Sequence, residues 1–403
     1  MHNAPLPLTG ADKLSLDTGF YTTFHSQPTH YFSAPGRTEL SGNHTDHQHG
    51  CVLAAAVDLD TRAAVACNGA DVIRVCSRGY APVEVDIHAL TPLDAEVNTT
   101  AALVRGVAAG FAALGCKLSG FDAYMESTVL PGSGLSSSAA SEVLMGTIIN
   151  HLVWDGKATP VQVAQIGQHA ENVFFGKPCG LMDQTASAVG GMVAIDFADP
   201  KEPIVQPLDF DFSATGYALC IIDSQASHAD LTDEYAAITR ELKAVCACFG
   251  KDVLTQVDED AFYAALPALR TQCGDRAIMR AIHVFEENRR VPRQVEALQQ
   301  RDFGAFLQLE NESGQSSWMY LQNVIPTGST AQQAVAVALA LCKHLLNGRG
   351  ACRVHGGGFA GTVQAFVPND MLDAFRAQID AALGSGACHV LSIRPQGGVA
   401  MRP

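Results

Sequence analysis

The chain of 403 residues is long enough for two or three domains, and its 47% of hydrophobic residues provides for sizeable buried cores. The formal net charge of −15 argues against nucleic acid or an anionic membrane as partner, although a locally positive site could still bind an anion. The sequence shows neither a signal-peptide pattern nor an apolar run of bilayer length, so we expect a cytoplasmic protein without membrane contact. The 12 cysteines lack zinc-site spacing and are expected to be reduced thiols.

The first half of the chain mixes predicted strands and helices. After a polar stretch at 34–50, residues rich in Val and Ile predict strands at 51–58, 63–67, 72–77 and 83–88. Helical spacing and further apolar runs then predict a helix at 99–114, a strand at 121–130, helices at 136–151 and 160–175, and a strand at 192–197. The polar connector at 199–203 predicts a domain boundary, with an N-terminal domain of residues 1–205 and a C-terminal domain of residues 206–403.

The second half is predicted to be mostly helical. Helices are expected at 231–248, 260–268, 275–288, 302–321, 328–346 and 370–383, and strands at 217–223, 362–367 and 388–393. Because strands and helices mix without a regular βαβ alternation, the pattern favours the α+β class.

A glycine- and serine-rich loop separates the predicted strand at 121–130 from the helix that follows. Glycines allow backbone N–H groups to approach an anion closely, and a helix start adds unpaired N–H groups and the positive end of a dipole. The loop is not a Walker A motif, because no Gly-Lys-Ser/Thr follows it. A flexible turn with serine caps is the alternative interpretation.

Three further stretches carry candidate chemistry. The first, residues 36–50, contains Arg37 and the group His44, Asp46, His47 and His49, which could be a metal site, although no second cluster completes one. A polar turn with surface histidines is the alternative interpretation. The second contains Glu171 and Asp183, and a carboxylate in such a partly apolar setting is either a satisfied helix cap or a general base. The third, a His-Gly-Gly-Gly run at 355–358, is similar to an esterase oxyanion loop, but no nucleophile elbow accompanies it.

Together these motifs resemble the galactokinase branch of the GHMP small-molecule kinases. APGRTELSGNHTDHQHG is similar to the sugar-binding signature of that family, LPGSGLSSSAASE to its phosphate-binding loop and VHGGGFAGTV to its third glycine-rich motif. AENVFFGKPCGLMDQ resembles the stretch with a magnesium-binding Glu and a catalytic Asp, and Asp233-Glu-Tyr235 the sugar-contacting tyrosine segment. These matches run in the family's order from about residue 32 to residue 365.

The resemblance implies an N-terminal domain of the ribosomal-S5-domain-2-like type, a C-terminal ferredoxin-like domain and a site between them. It also implies that the enzyme phosphorylates the C1 hydroxyl of galactose with ATP and Mg²⁺. Asp183 would be the base, and Arg37 would lower its pKa and offset charge on the transferred phosphoryl group. The implied Mg²⁺ ligands are Ser138 and Glu171.

The remaining implied roles are binding roles. Residues expected to cradle the ATP phosphates are Gly132, Ser133, Gly134, Leu135, Ser136, Ser137 and Ser138, with Gly356 and Gly357 of the third motif completing the wall. Residues expected to contact the sugar are Asn43, His44, Asp46, Gly180 and Tyr235. The expected partners are therefore a small sugar and ATP, and the protein is expected to be a monomer.

The signature departs from the family at two points that bear on function. Galactokinases usually read Gly-Arg-Val-Asn-x-Ile-Gly-Glu-His-Thr-Asp-Tyr, whereas this chain reads Gly36-Arg-Thr-Glu-Leu-Ser-Gly-Asn-His-Thr-Asp-His47. Asn43 stands where the family has a Glu that grips the sugar 6-hydroxyl, so galacturonate or L-arabinose is an alternative substrate. The tryptophan-bearing segment that often lines the adenine pocket is also not evident.

The sequence leaves open a second functional class, a protein that binds its ligands but is not an enzyme. Some galactokinase-like proteins bind sugar and ATP without turnover and regulate transcription through a partner. The presence of Arg37, Ser138, Glu171 and Asp183 favours an enzyme over such a sensor.

Overall fold

The computed structural model describes residues 6–130, 132–226 and 231–402, and over these residues the expected α+β class is confirmed. The strands are β1 (Leu6–Pro7), β2 (His30–Ser41), β3 (Cys51–Cys67), β4 (Val72–Ser77), β5 (Val83–Asp86), β6 (Phe121–Ser127), β7 (Met192–Asp196), β8 (Ile204–Leu208), β9 (Tyr217–Asp223), β10 (Ala351–Val354), β11 (Thr362–Pro368), β12 (Cys388–Leu391) and β13 (Val399–Arg402). The helices are α1 (Gly10–Phe24), α2 (Thr100–Ala113), α3 (Ser137–Val153), α4 (Pro160–His169), α5 (Met182–Val189), α6 (Thr232–Ala247), α7 (Glu259–Ala264), α8 (Leu266–Cys273), α9 (Asp275–Gln299), α10 (Phe303–Ser316), α11 (Ala334–Leu346) and α12 (Leu372–Leu383).

The larger sheet is built around β3, which is long enough to pair with several strands. The main strand order is β1-β13-β2-β3-β6-β4-β5, and β7 joins the free end of β3 and pairs in turn with β8. Helices α2, α3 and α4 share one buried apolar cluster with this sheet. Helix α1 packs on the other face, where Leu16 and Phe20 are buried against Tyr31 and Tyr124.

The smaller sheet has the order β10-β11-β9-β12, and its pairs are antiparallel. Side chains of β9 alternate between two cores, as expected for a strand that is covered on both faces. Ala218 and Cys220 pack with α11 and α12, whereas Leu219 and Ile221 pack with α9, α10 and residues of β3. The core that contains Leu219 and Ile221 therefore joins the two sheets and sets the positions of the residues that lie between them.

The division at 205/206 stays a prediction. Strand β8 pairs with β7 of the larger sheet, which favours a boundary after Leu208 rather than before it. The C-terminal strand β13 pairs with β2, so the end of the chain lies in the larger sheet.

Several predicted elements differ from the observed ones. The expected strands at 51–58 and 63–67 form one strand, because the polar residues between them are partnered: Asp60 accepts hydrogen bonds from Ser33, Arg62 and Arg394. Helix α1, capped by Thr9, was not predicted, and α9 continues past its expected end through Pro292. Among the described residues, no helix combines the length and the apolar character needed to cross a bilayer.

Candidate active site

The glycine- and serine-rich loop joins β6 to α3 and has the backbone of an anion-binding turn. Gly132, Gly134 and Ser136 have positive φ angles of 71°, 73° and 58°. At Gly134 an added Cβ would lie 3.0 Å from His355 Nδ1, so a larger residue would be strained there as well as crowded. Helix α3 begins directly after Ser136 and directs its first N–H groups towards this loop.

The predicted phosphate-loop residues lie in this turn and, for Ser137 and Ser138, in the first turn of α3, but the residues contribute differently. Leu135 is fully buried, and its carbonyl accepts a hydrogen bond from Arg37 N at 3.0 Å, so only its backbone could meet a ligand. The hydroxyl of Ser133 donates to Leu130 O at 2.7 Å, which stabilises the turn. Residue 131 lies outside the described part of the chain.

Arg37 and Asp183 form an ion pair beside this loop. Arg37 is on β2 and Asp183 is in the first turn of α5, and Arg37 Nε donates to Asp183 Oδ1 at 2.7 Å. The same guanidinium donates to the Gly134 carbonyl, while Ser136 Oγ donates to Asp183 Oδ2 at 2.7 Å. The side chain of Asp183 is 29% exposed and that of Arg37 only 8%, so the carboxylate faces the cleft and the guanidinium lies behind it.

The surroundings of Asp183 keep its carboxyl group ionised. Burial by itself would raise the pKa of Asp183, but the charge and hydrogen bond of Arg37, the hydrogen bond of Ser136 and the charge of Lys177 hold the pKa below its usual value. An ionised carboxylate can accept a hydrogen bond from a substrate hydroxyl and take up its proton as the nucleophile attacks.

Asp46 and Gly180 lie next to this carboxylate. Burial, together with the charge of Asp183, raises the pKa of Asp46 to about 6. A Cβ added to Gly180 would overlap the Oδ2 atom of Asp46, which explains why the smallest residue stands at that position. Two carboxylates and a glycine backbone thus border one space, which suits a ligand rich in hydroxyl groups.

The other predicted sugar-contact residues meet the glycine run of the third motif. Asn43 Nδ2 lies 2.6 Å from Gly356 O, His44 Nε2 lies 3.1 Å from Gly357 O, and the Tyr235 hydroxyl donates to Gly358 O at 2.9 Å. The three side chains therefore contact three successive carbonyls of one loop.

A histidine pair supports this arrangement. His44 Nε2 can meet a carbonyl only as a donor, so His44 Nδ1 accepts from His47 Nε2 at 3.1 Å, and His47 Nδ1 accepts from Gln48 Nε2 at 3.2 Å. Burial lowers the pKa of His44 and lowers that of His47 to about 3. Both rings are therefore neutral at physiological pH.

Ser138 and Glu171 are close enough to share a ligand. Ser138 Oγ lies 3.4 Å from Glu171 Oε1, and Lys177 Nζ lies 3.0 Å from the same oxygen. Within the described ranges, no group of three or more His, Cys, Asp or Glu residues could hold a metal ion by itself. A hydroxyl and a carboxylate fit Mg²⁺ when phosphate and water oxygens complete its coordination shell.

Several contributors to the site were not predicted as functional residues. Gln184 Nε2 donates to both Glu171 Oε2 and Glu142 Oε2 at 2.9 Å, and burial, followed by the charge of Glu171, raises the pKa of Glu142 well above its usual value. Asn323 donates to Gly357 O at 3.2 Å. Glu142 and Gln184 lie inside the recognised motifs, but Asn323 belongs to no motif and carries no sequence signal.

Comparisons with known proteins agree with this geometry. Residues 18–67 match the model of the galactokinase galactose-binding signature, and residues 102–191 match that of the GHMP kinase N-terminal domain. A galactokinase of Lactococcus lactis, solved in complex with galactose, superposes with a TM-score of 0.78 at 23% identity over 96% of this chain and 99% of its own. A mevalonate kinase of Methanococcus jannaschii gives a TM-score of 0.64 at 12% identity over 91% and 98%.

The family follows from a sequence relative. The chain is 31% identical to the galactokinase of Streptomyces coelicolor over 389 residues, which covers 94% of this chain and 96% of that enzyme. The expected fold and the expected resemblance are both confirmed. The chain is a sugar kinase that belongs to the galactokinase family of the GHMP kinases.

Proposed function

We propose that this enzyme transfers the γ-phosphoryl group of ATP to the C1 hydroxyl of D-galactose in one in-line step. The observation that carries the proposal is the placement of Asp183, whose two oxygens are held by Arg37 and by Ser136 of the phosphate loop. A hydroxyl bound at this carboxylate would lie beside the loop that binds the phosphates, as phosphoryl transfer requires.

The charges at the site fit the same reaction. The ionised Asp183 would orient the C1 hydroxyl and accept its proton, and Arg37 would stabilise the charge that spreads over the transferred group. Mg²⁺, held by Ser138 and Glu171 with phosphate oxygens, would neutralise charge on the nucleotide when bound. The backbone from Gly132 to Ser138 and the start of α3 would cradle the phosphates.

Asp46, Gly180 and Tyr235 are proposed to contact the sugar through polar groups. Both ring nitrogens of His44 are bonded to Gly357 O and His47, so His44 is proposed to meet the sugar only through the C–H edge of its ring. Asp46 can accept hydrogen bonds from sugar hydroxyls, and the backbone of Gly180 lies directly beside Asp46 Oδ2.

Galacturonate would need a donor from the Asn43 amide, but the N–H groups of this amide are bonded to Glu39 and Gly356. These contacts favour galactose over galacturonate. L-arabinose lacks the 6-hydroxymethyl group and needs no such donor, so it stays an alternative substrate.

ADP release with a panel of sugars tests the proposal. The purified protein is incubated with Mg·ATP and D-galactose, D-galacturonate, L-arabinose or N-acetylgalactosamine. We expect turnover with galactose above the other three. Preference for another sugar would contradict the proposed substrate, and binding of galactose and ATP without turnover would favour the sensor function.

The pKa of Asp46 predicts a pH dependence of sugar binding. Because this pKa is raised to about 6, the carboxyl becomes protonated as the pH falls through that value and loses acceptor capacity for sugar hydroxyls. We expect the KM for galactose to rise as the pH is lowered from 7.5 to 5, by about tenfold per pH unit below the pKa. Steady-state kinetics across this range measure the effect. In Asp46→Asn, sugar binding should be weaker and independent of pH over the same range, and a variant that keeps the wild-type profile would contradict the assignment.

Substitution of Gly180 by Ala is expected to impair sugar binding. The new methyl group would overlap Asp46 Oδ2 and push that carboxylate from its position. We expect the KM for galactose to rise by about tenfold, the equivalent of one strong hydrogen bond. Gly10→Ala is the matched control, since no atom lies within 4 Å of the added Cβ. Equal KM values for the two variants would contradict the prediction.

A further inference from the structure

The side-chain amide of Asn43 is buried and hydrogen-bonded to other parts of the protein. It is 1% exposed, its Nδ2 donates to Glu39 Oε1 at 3.0 Å and to Gly356 O at 2.6 Å, and its Oδ1 accepts from Asn323 Nδ2 at 2.8 Å. Both N–H groups of the amide are therefore used. A sugar hydroxyl could reach this side chain only at a remaining lone pair of Oδ1.

A buried ion pair fixes the orientation of this amide. Glu39 is paired with Arg353, and the side chains of the two residues are 5% and 1% exposed. Because an ionised Glu39 can only accept hydrogen bonds, the NH₂ group of Asn43 must face it. The family signature carries Asn and Glu at the positions of Glu39 and Asn43, so this chain has exchanged the amide and the carboxylate within one hydrogen-bonded pair.

The bond from Asn43 to Gly356 determines the direction of a backbone donor in the glycine loop. In a planar trans peptide the carbonyl and the following N–H point in opposite directions. The Gly356 carbonyl faces Asn43 and the Gly357 carbonyl faces His44, so the N–H groups of Gly357 and Gly358 point away from the sugar signature. Neither N–H has a hydrogen-bond partner within the ranges that the structure describes.

The same loop is anchored to the phosphate-binding turn. Thr362 Oγ1 donates to Ser133 O at 2.8 Å and lies 3.0 Å from His355 Nδ1, and His355 Nε2 lies 3.0 Å from Thr38 Oγ1. Gly356 and Gly358 have positive φ angles of 63° and 82°, which is typical of backbone turns whose successive N–H groups converge on an anion. The two N–H groups thus lie in a segment that is tied to the nucleotide side of the cleft.

We propose that Asn43 is a positioning residue for the nucleotide rather than a contact of the sugar. It acts through Gly356: the amide holds that carbonyl and so directs the N–H groups of Gly357 and Gly358 towards phosphoryl oxygens. Asn43, clamped by Glu39, thereby joins the sugar signature to phosphate binding. The inference rests on the proposed function only in taking ATP as the nucleotide.

Calorimetric titration of the full-length chain separates the two roles. The probes are D-galactose and, separately, Mg²⁺ with the non-hydrolysable ATP analogue AMPPNP, so the readout does not depend on turnover. In Asn43→Asp the new carboxylate would oppose Glu39 and the Gly356 carbonyl. We expect the Kd for AMPPNP to rise by about tenfold while the Kd for galactose changes by less than about threefold.

Three further variants make the outcome specific. Asn43→Ala removes the donors without adding a charge, so we expect it to weaken AMPPNP binding less than Asn43→Asp does. If Asn43→Asp does not fold, the Asn43→Ala variant takes its place in the test. Glu39→Gln in the Asn43→Asp background supplies a donor to the new carboxylate and should restore most of the AMPPNP affinity. Asn288→Asp is the matched control, because Asn288 Oδ1 accepts a hydrogen bond from Cys51 N and an Asp keeps that acceptor.

The opposite pattern would overturn the inference. A rise in the Kd for galactose with an unchanged Kd for AMPPNP would make Asn43 a sugar contact, and unchanged values for both would leave it no role in either site. A wild-type protein that binds AMPPNP but not galactose would contradict the proposed substrate alone, because the comparison of AMPPNP affinities would still decide the role of Asn43.

Discussion

Replacement of Asp183 by Asn is expected to lower kcat by about 10³-fold, within the range found for removal of a general base. An Asn can keep the contacts of the side chain: its Oδ1 can accept from Arg37, and its NH₂ group can donate to the Ser136 hydroxyl. The variant would lose only the negative charge and the capacity to take up a proton. Steady-state turnover with Mg·ATP and galactose measures the effect, and the KM values should change little.

Asp196→Asn provides a control for this variant. Asp196 accepts a hydrogen bond from Ala198 N at 2.9 Å at the end of β7, and an Asn would retain that acceptor. We expect wild-type turnover from the control and similar thermal unfolding from both variants. If Asp183→Asn kept more than about a tenth of the wild-type kcat, the carboxylate would not act as the base.

Replacement of Arg37 by Met is expected to lower kcat by about 10³-fold as well. The substitution keeps an unbranched apolar stem but removes the charge and the donors that hold Asp183 Oδ1 and the Gly134 carbonyl. Arginines that stabilise a transferred phosphoryl group contribute about 10³-fold or more to kcat. The phosphate-binding loop and Asp183 would both lose the guanidinium group that contacts them in the wild-type enzyme.

The pH profile of the Arg37 variants distinguishes loss of the base from loss of charge stabilisation. Without Arg37, burial would raise the pKa of Asp183, so the carboxylate would become protonated at a higher pH. The acid limb of kcat against pH should therefore move to higher pH in Arg37→Met, and by less in Arg37→Lys, which keeps a charge but not the two-pronged geometry. An acid limb that stays in place in both variants would contradict the coupling of Arg37 to Asp183.

The sequence predicted the parts of the site that lie within continuous motifs. The glycines and serines after β6, the Arg of β2 and the Asp at the start of α5 each carry a local pattern, and the structure places Arg37, Ser136 and Asp183 in contact. The strand and helix succession was also largely predictable, because the apolar periodicity of these segments reflects one-sided or two-sided burial.

The remaining features depend on contacts between distant segments, which local patterns do not report. A turn was expected near Asp60, but Ser33 and Arg394 partner its carboxylate and allow β3 to continue as one strand. Asn43 is recognisable in the sequence as a substitution in the sugar signature, yet its partners Gly356 and Asn323 lie about 300 residues further along the chain. Their proximity follows from the core that joins the two sheets.

Identification of the reaction product tests the central claim most directly. The product of the wild-type enzyme with Mg·ATP and D-galactose is examined by phosphorus–proton correlation NMR, with Asp183→Asn treated in parallel. We expect a sugar phosphate whose phosphorus couples to the H1 proton, formed by the wild-type enzyme and not by the variant over the same time. Coupling of the phosphorus to H6 would contradict phosphorylation at C1, and ADP release without a sugar phosphate would contradict transfer to the sugar. A product formed equally by both proteins would contradict the assignment of Asp183 as the base.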